Sequence, residues 1–391
     1  MKIVADENIP LLGEFFNEIC QFNMVTREGR DICKSNLVTR AGRDICRADL
    51  LGADILLVRS ITQVNEALLA GTRIKFVGTC TIGTDHLDID YLNSSGIRFS
   101  NAPGCNAQAV IEYVLSSLIT LGERKQVPWR SLTVGIVGAG NVGGRLYSAL
   151  KALQVDVCAY DPQVGAFDSE EQSKAVWQQD VVTLHTPITM SGEFKTHHMV
   201  GAKRLNDMKD NACLINSCRG SVIDNQALSL HLETHPEFMA VMDVWENEPS
   251  PADSLIRQCM IATPHIAGYS LDGKYLGTAM IYEALCDFLA LPIRMKLAQL
   301  VPQGSLRKVS MSSEAKMPYI LNKVIRASYD IRDDHFRMLS LLGLSDEDKA
   351  KAFDGLRKQY PLRRDLSTLM VSAKRLSQPD WLQALGVKLK S

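Results

Sequence analysis

Three charged residues, each following an apolar run, have the chemistry to hold and deprotonate a small acid. "ACLIN" stops at Asn216, and Arg219 follows in "INSCRGSVID". "VMDVWENEPSP" supplies Asp243 and Glu248, and "ATPHIAGYS" supplies His265. An arginine forks two parallel hydrogen bonds onto a carboxylate. A histidine moves a proton near neutral pH, and a carboxylate beside it favours the imidazolium. Each residue alone also has a plain reading, a surface salt bridge for Arg219 and a structural role for His265. An Arg, a Glu and a His on three successive strand ends of one domain are harder to dismiss.

"GAGNVG" (138–143) adds a second chemistry. It follows the strand pattern "TVGIV" and opens a helix, the context that G-x-G-x-x-G needs for dinucleotide binding. Gly138 permits a tight turn, Gly140 lets a pyrophosphate approach the backbone, and Gly143 lets helix and strand pack closely. The helix N-terminus faces the anion. Asp161 ends the next strand pattern, "CAYDP", where an acid binds the adenine ribose hydroxyls. A plain Asp-Pro turn is the other reading of Asp161. No arginine follows it to neutralise a 2′-phosphate, so NAD is favoured over NADP.

The elements that must position these residues alternate strand and helix. "KIVAD", "ADILLVRS" (53–60), "IKFVGTCT" (74–81) and "GIRFSNAPG" (96–104) read as strands, followed by six more between about 133 and 268. That alternation predicts parallel pairing and doubly wound sheets, whose ligands bind beyond the carboxyl ends of the strands. A long helix is expected over 106–124, with Asn106 as N-cap and Val110, Val114, Leu118 and Leu121 on one face. Pro292 and Pro302 mark a boundary before a charged tail. Residues 25–37 and 38–50 are a tandem duplication, "VTREGRDICKSNL" and "VTRAGRDICRADL". It reads as a tolerated surface insertion before the second strand.

The 391 residues carry a net charge of -1, with 46% apolar and 22% charged residues. That balance argues against nucleic-acid binding or a polybasic membrane patch. No apolar run reaches the roughly 18–20 residues of a membrane span. The start, "MKIVADENIP", reads as no signal peptide. Ten cysteines without C-x-x-C pairs point to reduced thiols in a cytoplasm, and no metal site is expected. "HH" at 197–198 reads as loop surface.

Taken together, "GAGNVG" with Asp161, "NSCRGSVIDNQAL", "DVWENEP" and "TPHIAGYS" resemble the D-isomer-specific 2-hydroxyacid dehydrogenase family over about residues 1–290. "DENIP", "VRSITQVNEALL", "FVGTCTIGTDHLD" and "PHIAGYSLDGKYLGT" resemble those members that act on a 4-phosphorylated acid, and "YDIRDD" and "YPLRRD" resemble their C-terminal dimerisation domain. The implied fold class is α/β, with two Rossmann-like doubly wound parallel-sheet domains and a small C-terminal α+β dimerisation domain. The implied limits are 1–104 with 266–292 for substrate, 105–265 for NAD, and 293–391 for a homodimer contact. The segments near 100–106 and 264–270 are expected to hinge.

The resemblance implies NAD-dependent oxidation of 4-phospho-D-erythronate at C2 to 2-oxo-3-hydroxy-4-phosphobutanoate, on the way to pyridoxal 5′-phosphate. Another D-2-hydroxy acid such as 3-phosphoglycerate, or a non-catalytic NAD sensor, are the alternatives. Arg219 is implied to grip the C1 carboxylate, His265 to take the C2 hydroxyl proton, and Glu248 to orient His265. Gly138, Gly140, Asn141, Val142, Gly143, Asp161, Thr186, Asp243 and Gly268 are implied cofactor contacts. Ser60, Thr81 and Tyr269 are implied substrate contacts. Arg59 with Ser60 and Thr81, or else Arg363 and Arg364, would serve the phosphate.

Overall fold

The computed structural model describes residues 1–22, 36–304, 306–373 and 376–390. They form two compact units, 1–106 with 271–302, and 107–270 with 303–391.

The first unit holds β1 (Ile3–Asp6), β2 (Leu37–Arg40), β3 (Ile55–Val58), β4 (Phe76–Thr79) and β5 (Arg98–Ser100), all parallel in the order β2-β1-β3-β4-β5. β1, β3 and β4 are buried at every residue, because helices and loops cover both faces of a parallel sheet. Side chains alternate between two cores. Ile3, Ile55, Leu57 and Phe76 face the helices Leu12–Phe22 and Leu271–Phe288, while Val4, Leu56, Val58 and Val77 face the other layer.

β2 corrects the reading of the duplication. The second copy is not a surface loop. It supplies the edge strand paired to β1, and its Ile45 and Leu50 are buried in the second core. Its apolar spacing was masked by the charges between. All but the last two residues of the first copy lie outside the described residues.

The second unit holds six parallel strands: β6 (Val134–Val137), β7 (Val157–Tyr160), β8 (Val181–Leu184), β9 (Cys213–Asn216), β10 (Met239–Met242) and β11 (Ile261–Ala262). Their order is β11-β10-β9-β8-β6-β7. The chain runs outward from β6 to β7 and then returns to β8 on the other side, so the order reverses between β6 and β8. A doubly wound sheet opens its ligand crevice at that switch.

The long helix is Ala107–Lys125 and is buried nearly all round, including Glu112, Ser116 and Ser117. Asn106 does not cap it through its side chain, because its Oδ1 is buried without a hydrogen-bond partner. The helix is buried on both sides because the tail packs on the side away from the sheet. The helix Met317–Ser328 buries Met317, Ile320, Leu321, Val324 and Ile325, a three-four spacing that makes one apolar stripe. Trp129 Nε1 donates to Asn322 Oδ1 at 2.7 Å across that contact. The tail adds a small parallel sheet of β12 (Lys308–Met311), β13 (Met370–Ala373) and β14 (Lys388–Lys390). Among the described residues no helix is long and apolar enough to cross a membrane.

Candidate active site

The glycine loop joins β6 to the helix Gly143–Ala152. Gly138 has φ 91°, where a side chain is strained, and a Cβ there would come within 2.6 Å of the His185 carbonyl oxygen. A Cβ on Gly143 would sit 1.9 Å from the Gly138 carbonyl oxygen. A Cβ on Gly140 would meet nothing within 4 Å, so open space lies over the middle of the loop. Asp161, just past β7, accepts the Ala139 N–H at 2.8 Å and so reaches the loop itself. Thr186 stands on the far side of the switch, its Cγ2 3.1 Å from the Cβ that Gly138 lacks. The loop is therefore tight where strand and helix meet and bare where a pyrophosphate would lie, which fits NAD. A cavity of about 890 Å³ flanks it, lined by Gly140, Asn141, Arg145, Ser148 and Gln383 among others.

The Glu248–His265 pair is built by the ends of β10 and β11. Asp243 is buried and takes hydrogen bonds from Thr263 Oγ1 at 2.6 Å, Ile266 N at 2.8 Å and Ala267 N at 2.9 Å. Burial raises its carboxyl above the ordinary range, against the pull of His265 and these donors. The Asp243 carbonyl accepts the His265 N–H at 2.7 Å. These bonds hold His265 at φ 57°, a left-handed conformation that costs a non-glycine residue on the order of 1 kcal/mol. The strained backbone thus stands on a buried aspartate, and what Asp243 does in this structure is fix the His265 turn.

Glu248 Oε2 lies 2.7 Å from His265 Nδ1, and its Oε1 accepts the Trp245 N–H at 2.9 Å. Burial pushes the Glu248 carboxyl up, but the His265 charge and hydrogen bond, the Trp245 N–H and Arg357 bring it below its ordinary range. Glu248 is therefore a carboxylate at neutral pH. It directs Nδ1 and leaves Nε2 to exchange a proton.

Arg219 emerges past β9 half-buried, and the loop is closed by Asn216 Nδ2 donating to the Arg219 carbonyl at 2.9 Å. Gly220 explains why the arginine sits against the Glu248 loop. A Cβ there would come within 2.0 Å of the Trp245 carbonyl oxygen, so only glycine lets the two loops touch. Gly268 and Tyr269 continue the His265 turn, and Tyr269 meets Tyr360 edge-on at 5.6 Å. In the first unit, Ser60 is exposed beyond β3. Thr81 lies beyond β4, its Oγ1 2.8 Å from Thr79 Oγ1.

The alternative phosphate set loses Arg363. Arg363 is 6% exposed, donates to the Ala267 and Ala109 carbonyls, and stacks 3.6 Å over Tyr329. It braces the second unit from within and is closed to a phosphate. Nothing local in "RR" marks which of the two turns inward. Three contributors were missed: Trp245, Gly220 and Thr263. The glycine had a local signal, since it directly follows the arginine in a tight turn. The other two are defined only by distant partners.

Comparison with known proteins accounts for both halves of this arrangement. Residues 120–267 match the family described as D-isomer specific 2-hydroxyacid dehydrogenase, NAD binding domain, and residues 300–386 match a domain of unknown function. The chain is 48% identical over 377 residues to an erythronate-4-phosphate dehydrogenase of Pseudomonas fluorescens, covering 95% of this chain and 94% of that one. It is 44% identical to the Marinobacter nauticus protein of the same name, with both chains covered at 100%. Among solved structures, the fold is similar to a D-lactate dehydrogenase of Aquifex aeolicus complexed with NAD and lactic acid, at 22% identity, TM-score 0.58, and 74% and 96% coverage. It is also similar to an NAD+-bound 3-phosphoglycerate dehydrogenase of Entamoeba histolytica, at 20% identity, TM-score 0.60, and 76% and 98% coverage. The glycine loop, the Glu248–His265 pair and these relatives lead to one assignment: the chain belongs to the D-isomer-specific 2-hydroxyacid dehydrogenases, an NAD-dependent oxidoreductase family, within the group of the erythronate-4-phosphate dehydrogenases.

Proposed function

We propose that this chain oxidises 4-phospho-D-erythronate at C2 to 2-oxo-3-hydroxy-4-phosphobutanoate, a step toward pyridoxal 5′-phosphate. The observation that carries the chemistry is the 2.7 Å contact between Glu248 and His265 at the carboxyl end of a dinucleotide-binding sheet. The whole-chain likeness to proteins named for erythronate 4-phosphate carries the substrate.

Arg219 binds the C1 carboxylate and polarises the C2 oxygen. His265 Nε2 accepts the C2 hydroxyl proton, and Glu248 holds Nδ1 and stabilises the imidazolium that results. Gly138–Gly143, Asp161, Thr186 and Gly268 would hold NAD, which would supply the acceptor for the hydride from C2. Two electrons and a hydrogen nucleus leave carbon together, and the oxygen's proton goes to His265. Ser60, Thr81 and Tyr269 are the substrate contacts in this reading.

The tail pairs two copies in this reading. Tyr319, Phe336 and Leu362 expose 57%, 68% and 83% of their surface there. The enzyme works in the cytoplasm, where an exposed thiol such as Cys46 stays reduced.

The test follows NADH formation with 4-phospho-D-erythronate, D-3-phosphoglycerate and D-glycerate, for wild type and His265→Ala. A parallel run includes a 2-oxo acid acceptor, so that tightly held cofactor does not mask turnover. Turnover with the phosphoerythronate alone, lost in the variant, is expected. Turnover with phosphoglycerate instead discards the substrate and keeps the mechanism. NAD binding without turnover of any acid makes the chain a binding protein.

A further inference from the structure

The tail reaches the turn that carries His265 through a column of three side chains. Tyr113 stands on the buried helix Ala107–Lys125, while Tyr329 and Arg363 come from the tail. The Tyr113 and Tyr329 rings stack with centres 6.2 Å apart, and the Arg363 guanidinium lies 3.6 Å over Tyr329. All three side chains are buried. The reaction proposed above uses none of them.

Each end of the column makes one hydrogen bond to the turn. Tyr113 Oη lies 2.9 Å from Thr263 Oγ1. Thr263 has a single hydroxyl hydrogen and gives it to Asp243 Oδ1 at 2.6 Å, so Tyr113 is the donor. At the other end, Arg363 Nη1 donates to the Ala267 carbonyl at 3.3 Å. Thr263 precedes His265 by two residues, and Ala267 follows it by two. The second arm of the guanidinium, Nη2, donates to the Ala109 carbonyl at 2.6 Å and ties the fork to the long helix. Ala267 is therefore held at both of its peptide groups, its N–H by Asp243 and its carbonyl by Arg363. A left-handed backbone at a residue other than glycine persists only where its surroundings over-determine it. Asp243 supplies part of that constraint at His265, and the column adds a contact on each side of it.

We infer that Tyr113 and Arg363 are positioning residues: with Tyr329 stacked between them, they clamp the His265 turn at Thr263 and Ala267, so the tail sets where the imidazole stands. For the oxidation, this rests on the assignment of His265 as the base.

The test uses the full-length protein with Tyr113→Phe, which loses one hydroxyl, and Arg363→Met, which keeps bulk without donors. Arg363→Lys is the conservative variant. Asn322→Ala is the control, because Asn322 accepts from Trp129 Nε1 at 2.7 Å, a tail hydrogen bond that does not lead to the turn. Backbone hydrogen exchange, followed by mass spectrometry without substrate, is expected to quicken by up to about tenfold over residues 263–269 in Tyr113→Phe and Arg363→Met. It should stay at the wild-type rate there in Asn322→Ala. In the same two column variants kcat is expected to fall about tenfold, with KM for the acid and NAD affinity within about twofold, and Arg363→Lys should recover part of the loss. With 4-phospho-D-erythronate deuterated at C2, the isotope effect on kcat should rise in the column variants, because the hydride step slows. A loss of stability alone would not move it. Wild-type exchange over 263–269 in the column variants overturns the inference, as does equally fast exchange in Asn322→Ala. A kcat that is unchanged, or that falls equally in Asn322→Ala, also overturns it and leaves the column as packing. If Arg363→Met does not fold, Tyr113→Phe decides alone, since it keeps the ring in the stack. If wild type oxidises none of the acids, the proposed function falls, and the exchange rates still decide on the clamp.

Discussion

Replacing Glu248 by glutamine removes one charge and forces a choice between two contacts. In the wild type both oxygens accept, one from His265 Nδ1 at 2.7 Å and one from Trp245 N–H at 2.9 Å. A glutamine has one acceptor and one donor end. If its oxygen stays on Trp245, its NH₂ faces Nδ1 and makes that nitrogen the acceptor. Nε2 then carries the hydrogen and cannot accept another. If the oxygen turns to Nδ1, the NH₂ meets the Trp245 N–H, and a partly buried donor loses its partner at about 1–3 kcal/mol. The lost charge adds to this. Charge centres about 4 Å apart at an effective dielectric of about 20 interact by about 4 kcal/mol. The side chains are 36% and 23% exposed, so screening cuts that to about half. The sum is about 3–5 kcal/mol, or roughly a hundred- to a few thousandfold in kcat/KM. The assay is NADH formation from 4-phospho-D-erythronate with NAD affinity measured alongside. A loss below about threefold, or a loss that follows weakened NAD binding, would refute the role given to Glu248.

Three further predictions follow from other parts of the structure. Burial, reinforced by Asp365 and opposed by Arg363, pushes the Glu112 carboxyl from 4.5 up to about 8. The folded chain therefore keeps a proton that the unfolded chain releases between these values. Stability falls as pH rises through that window, by up to about 1.4 kcal/mol per unit. Glu112→Gln has no such proton, so its melting temperature should decline less from about pH 5 to 8 than that of wild type. Parallel declines would sink the assignment. Gly143→Ala and Gly140→Ala should separate packing from cofactor approach. The first meets a carbonyl oxygen at 1.9 Å and should lower both the melting temperature and NAD affinity. The second meets nothing within 4 Å and should lower NAD affinity alone, by about tenfold or more. Equal effects on stability would contradict the loop geometry. Sedimentation at micromolar concentration should show a dimer, and Leu362→Glu should yield monomers. A monomeric wild type would remove the role proposed for the tail.

The sequence by itself determined the parts whose signal is local. A strand buried on both faces must be a short run of apolar residues, so "TVGIV", "ACLIN" and their neighbours were legible as a parallel sheet. The glycine loop was legible because its three glycines answer steric demands within six residues. Arg219, Glu248 and His265 were legible because each lies just past such a run, where a doubly wound sheet has its crevice. Tertiary structure alone decided the rest. Residues 38–50 carry charges among their apolar positions, and only the pairing to β1 shows that 38–40 lie in a strand. Arg363 and Arg364 are neighbours in sequence, yet Arg363 is drawn inward by carbonyls at 109 and 267. His265 takes a strained backbone because Asp243, twenty-two positions earlier, holds it there. Arg357 meets Tyr269 across 88 residues of chain. Periodicity records how far a residue is buried, but not against what. Contacts between residues remote in sequence leave no trace in the local pattern, and those contacts tune the site.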